Sequence, residues 1–171
     1  MLADRRTMIK ILNTYFASTA SREDIMENSS KHQSLPGIGN MSMERATISS
    51  WIRQSRYRAK RQDIYSDLEI SDVEEIIECY KNQCAYCGSA AETLDHPFPL
   101  KIVAPNIPAN ILPSCKDCKN IKKNNDLVWM FSSGKLEQES YLALLQQLFD
   151  RRGGDIIKGH VRKVTGIIGE S

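Results

Sequence analysis

Two cysteine pairs, Cys84-Ala85-Tyr86-Cys87 and Cys115-Lys116-Asp117-Cys118, constrain this chain more than any other feature. Each pair can turn two thiolates toward one point from a tight knuckle. Two such pairs supply the four ligands of a closed tetrahedral zinc site. A structural Zn2+ on Cys84, Cys87, Cys115 and Cys118 would clamp both ends of residues 88–114. Inside that clamp lies the one Asp-His dipeptide of the chain, Asp95-His96.

The remaining composition sets the surroundings of this staple. With 41% hydrophobic and 26% charged residues in 171, the chain has the make-up of a globular protein rather than a disordered one. No apolar run is long enough to span a bilayer, and Met1-Leu2-Ala3-Asp4-Arg5-Arg6 lacks the apolar stretch of a secretory signal. A cytoplasmic, reducing setting is therefore expected, with no membrane partner. There, paired cysteines are metal ligands rather than disulfides. Cys79, the fifth, reads as a half-buried core thiol.

The formal net charge of +2 says little, but its distribution is uneven. Arg53, Arg56, Arg58, Lys60 and Arg61 crowd one stretch, with Trp51 just before it and Tyr57 within it. Lys116, Lys119, Lys122 and Lys123 crowd another. Local basic patches of this kind are the electrostatic footprint of a polyanion partner.

The pattern predicts an α+β, mostly helical fold. Helices are expected over residues 3–17 and 21–28, the second opened by a capping box at Ser21-Arg22-Glu23-Asp24, and a loop over 29–40. A third helix, capped by Ser42, runs to about Ile64. Ser71-Asp72-Val73-Glu74 reads as the capping box of a fourth, which buries Val73, Ile76, Ile77 and Tyr80. Short strands are expected at 92–96 and 110–113, separated by a proline-rich loop that excludes helix. Helical residues return from Lys119, and an amphipathic helix spans about Leu136 to Phe149. The glycine-rich tail, 151–171, reads as a hairpin or a flexible arm. The domain division that follows is a helical region 1–70 for DNA or partner contact, a zinc-stapled unit 71–150, and the tail.

Cys84-Ala85-Tyr86-Cys87-Gly88, Leu94-Asp95-His96-Pro97, the run from Asn110 to Cys118, and Lys122 together resemble the HNH (ββα-metal) endonuclease family, in the subgroup stapled by a four-cysteine zinc. The likeness covers roughly a quarter of the chain. It implies a ββα module and a metal-dependent endonuclease that hydrolyses DNA phosphodiester bonds, leaving 5′-phosphate and 3′-hydroxyl ends. His96 would be the general base, and Asp95 a ligand of a catalytic Mg2+ or Mn2+. Asn110 would tie the long loop and so orient the histidine. The chemistry is consistent: imidazole titrates near neutrality, and carboxylate or amide oxygens suit a hard cation.

One position departs from the family pattern. An Asn or His usually follows the last cysteine as second metal ligand, whereas here Lys119 follows Cys118 and Asn120 comes one place later. Either Asn120 serves as that ligand through a shifted helix start, or the ligand is missing and the module is a weakened one that binds nucleic acid or protein. RNA is the alternative substrate. Lys119, Lys122, Lys123 and the Arg53–Arg61 stretch are the expected phosphate contacts. A homodimer, or a larger defence or phage complex, is the assembly such a module serves. His32 and His160 carry no assigned role.

Overall fold

The computed structural model describes residues 43–102 and 104–165, together with Lys10 and Thr14. The helices expected over 3–17 and 21–28, and the loop over 29–40, otherwise lie outside the described residues.

Helix α1 (Arg45–Arg61) turns Ile48, Ile52, Ser55 and Ala59 inward, a stripe set by the 3.6-residue period. Arg58, Lys60 and Arg61 lie in its last turn, where cations oppose the negative end of the helix dipole. Helix α2 (Ile70–Cys79) buries Val73, Ile76 and Ile77 against it. Its capping box is Glu69 with Asp72, two residues earlier than the expected Ser71-to-Glu74 box. The Glu69 N–H donates to Asp72 Oδ2 at 2.8 Å, and that same oxygen accepts from Arg152 at 2.6 Å. A tertiary ion pair thus adds to the local signal at Asp72, and Ser71 is left exposed. Cys79, expected half-buried, is exposed.

Strands β1 (Thr93–Asp95) and β2 (Leu112–Ser114) form a two-stranded antiparallel sheet, with Leu94 opposite Pro113 and Asp95 opposite Leu112. Pro113 fits in so small a sheet because each strand has a free edge. The intervening loop holds two single-turn 3-10 helices, Leu100–Ile102 and Pro108–Asn110. Asn110, expected at the start of a strand, ends the second of these.

Helix α3 (Lys116–Lys122) follows β2 directly, its first turn capped by the Cys115 sulfur, which accepts from the Cys118 N–H at 3.3 Å. Helices α4 (Leu127–Ser132) and α5 (Gln138–Phe149) pack Leu127, Met130, Phe131, Tyr141, Leu144, Leu145 and Leu148 into a core shared with Phe98 and Leu112. A second core holds Ile48, Ile52, Leu68, Val73, Ile76 and Ile77 with Leu94 and Ile111. The small sheet therefore sits between two apolar clusters, each anchoring one side of it.

The tail differs from expectation. Residues 154–165 form helix α6 (Gly154–Thr165), which sends Ile157 and Val161 into the larger core. Its glycines do not loosen it; two of them admit it. Gly153 has φ +85°, and a Cβ there would come within 2.6 Å of Ile107 Cδ1. A Cβ on Gly154 would overlap the Phe149 carbonyl. Only glycine lets the chain reverse that tightly after α5.

Candidate metal centre and adjoining histidine site

The sulfurs of Cys84, Cys87, Cys115 and Cys118 all lie within 4.8 Å of one another, and those of Cys87 and Cys115 are 3.7 Å apart. Zinc bound tetrahedrally at about 2.3 Å per sulfur requires sulfur pairs roughly 3.8 Å apart, so the set fits a structural zinc. Among the described residues it is the one such group of His, Cys, Asp or Glu side chains. The first knuckle is closed by Cys84 N–H to Ser89 O at 2.6 Å and Gly88 N–H to Cys84 O at 2.8 Å, with Gly88 at φ +75°. The second is the N-terminus of α3. Burial opposes ionisation of Cys115, but the Cys118 N–H and neighbouring Ser89, Cys118 and Cys87 outweigh it and bring the thiol down to about 7. Burial raises Cys84 and Cys118. A bond from Ala85 N–H to Pro113 O at 2.9 Å fastens the first knuckle to β2.

Asp95 is the last residue of β1 and His96 the first beyond it, so the backbone turn lets both side chains serve one region. Both are buried, at 6% and 8% exposure. Asp95 Oδ2 accepts from Tyr86 Oη at 2.7 Å and pairs with Lys122 Nζ at 3.1 Å. Lys122 is itself 1% exposed, a counter-ion inside the protein rather than a surface contact. Burying two charges is unfavourable unless each satisfies the other, and here the phenol adds a third partner.

His96 Nε2 lies 2.9 Å from Asn106 Oδ1, and its ring stacks on Trp51 with centroids 4.9 Å apart. Burial drives its pKa down to about 4; the Asn106 bond and Asp95 oppose this, while Arg58 and Lys122 add to it. The imidazole is therefore neutral at physiological pH. Arg58 lies two turns after Trp51 on the same flank of α1, where its charge also reaches Lys119. Arg53, Tyr57, Lys60 and Arg61 form the exposed outer face of that helix. Arg56 points the other way and donates to the Leu68 carbonyl and, at 3.1 Å, to Glu69.

Asn110 spans the loop with its side chain. Its Oδ1 accepts from Phe98 N–H at 3.0 Å, and its Nδ2 donates to Phe98 O and Pro105 O, both at 2.8 Å. This carboxamide holds the chain two residues after His96. Lys119 Nζ donates to Leu94 O at 2.8 Å and Thr93 Oγ1 at 3.1 Å, clamping α3 to β1; burial lowers its pKa. Asn120 is exposed on α3 and joins none of these contacts, and Lys123 is exposed as well. Three participants were not singled out for the site by their sequence: Asn106, Tyr86 and Trp51. Asn106 is flanked by Pro105 and Ile107-Pro108, and its partner Ser66 lies 40 residues earlier. Tyr86 reads as an ordinary knuckle residue, and Trp51 as the aromatic beside the basic stretch rather than a partner of His96.

A divalent cation beside Asp95 is tested by its donor set. Mg2+ commonly takes one or two carboxylates and completes its shell with water and phosphate oxygens. Asp95 offers one carboxylate, engaged by Tyr86 and Lys122, and Asn120 adds no oxygen beside it. Comparison with family models, curated proteins and solved structures returned no match to this chain.

Proposed function

We propose that the chain is a nucleic-acid phosphodiester hydrolase of the HNH (ββα-metal) type, with DNA as substrate. The observation that supports this best is the placement of His96, bonded to Asn106 directly after the buried Asp95 at the end of a strand that leads from the cysteine cluster. His96 would accept a proton from the attacking water, a role open to it because burial keeps it unprotonated. Asp95 would hold Mg2+ or Mn2+. Such an ion, when bound, supplies positive charge to the phosphate as negative charge builds on it. Asn110 keeps the loop, and thereby the histidine, in place. Arg53, Arg58, Lys60 and Arg61 on α1, with Lys123 beyond α3, supply phosphate contacts whose affinity falls with salt. Lys119 supports the strand, and Lys122 must leave Asp95 for a cation to enter.

A second reading, a nucleic-acid-binding module without catalysis, is favoured by two observations. Lys119 occupies the position of the expected second ligand, and Lys122 neutralises the first. Plasmid cleavage by zinc-loaded protein in Mg2+ or Mn2+ separates the two. Nicking is expected from the wild type, with a loss of about 100-fold or more in His96→Ala and little change in Asn120→Ala. Cleavage undiminished in His96→Ala would sink the hydrolase reading. An intact plasmid that is nevertheless bound, with affinity falling steeply in salt, would establish the second.

A further inference from the structure

Asn106 is fully buried and fixed by both its backbone and its side chain. Its N–H donates to Tyr65 O at 2.9 Å, and its carbonyl accepts from Asp67 N–H at 3.0 Å, a parallel bridge to the segment joining α1 and α2. Its Nδ2 donates to Ser66 Oγ at 2.8 Å. With Nδ2 on Ser66, Oδ1 faces the imidazole, where it can only accept, so the hydrogen between Asn106 and His96 belongs to Nε2. Trp51 covers the ring face and restrains its plane. The other nitrogen, Nδ1, is left with its lone pair and no hydrogen-bond partner among the described residues.

We propose that Asn106, anchored by Ser66, is a positioning residue that fixes His96 as its Nε2–H tautomer and makes Nδ1 the proton-accepting atom. This rests on the hydrolase reading for its purpose, though the tautomer itself does not. A neutral imidazole in the opposite tautomer would aim a donor at the attacking water and could not remove its proton. Asn110 cannot supply this control, because its amide is spent on Phe98 and Pro105.

Long-range 1H–15N correlation on zinc-loaded protein at pH 7.5, without added Mg2+, reads the tautomer directly. The chain has three histidines, so loss of one signal set in His96→Gln assigns the ring. The wild type should show a protonated Nε2 and a bare Nδ1. Asn106→Ala should give a tautomer mixture and lower kcat by about 100-fold with little change in KM. Asn106→Asp, which keeps an acceptor oxygen, should retain the Nε2–H form. A wild-type ring protonated at Nδ1 would overturn the proposal, as would an unchanged tautomer in Asn106→Ala. Should that variant not fold, Ser66→Ala removes the anchor alone and should mix the tautomers, and an unchanged ring there is equally fatal. An Nε2–H ring in a protein that cuts no plasmid would remove the hydrolase reading and leave the positioning intact.

Discussion

His96 is more stable neutral in the fold than in the unfolded chain, and that difference has a sign. The unfolded imidazole takes up its proton near pH 6.5, the folded one only near 4. Between those values the unfolded chain binds more protons, so stability is full above about pH 6.5 and falls as pH drops toward 4. A shift of this size corresponds to about 3 kcal/mol. Acid would also protonate the cysteine thiolates of a zinc-loaded protein, so the wild type alone does not isolate the effect. Urea titrations of wild type and His96→Gln across this range do: the wild type should lose about 3 kcal/mol more. Parallel curves would show that His96 is not buried as described. His96 and Asp95 could be found from the chain because both are chemically distinctive and adjacent. Asn106 could not, because its importance depends on a partner at Ser66 that only folding brings near.

The elements divide along the same line. The inner stripes of α1 and α2 and the two strands follow local periodicity, and they lie close to where residue patterns place them. Helix α6 does not, because its glycines carry opposite meanings at different positions. Gly159 merely weakens helical propensity, whereas Gly153 and Gly154 make the sharp entry into the helix sterically feasible. Gly154→Ala should therefore cost about 3 kcal/mol or more, since its Cβ meets a backbone carbonyl that cannot step aside. Gly159→Ala meets open space and should stabilise the helix by up to about 1 kcal/mol. Thermal melts of the two variants should move in opposite directions. A Gly154→Ala protein as stable as wild type would contradict the described turn.

At the scale of the whole molecule, the cysteine cluster joins two knuckles that lie about thirty residues apart in the chain. It ties the turn after α2 to the junction of β2 and α3, on the edge of a sheet only two strands wide. So small a sheet has little stability of its own. Purified protein should carry one zinc per chain, and a strong chelator should lower the unfolding midpoint and expose both knuckles to thiol reagents together. Unchanged stability after complete zinc removal would mean that the cores suffice. The histidine is gripped by a different connection. Trp51 lies within α1 and Ser66 in the segment that follows it, so the helix meets the imidazole at its face and the connection after it, through Asn106, at its edge. A substitution that shifts the C-terminal end of α1 would therefore disturb both restraints on the ring at once.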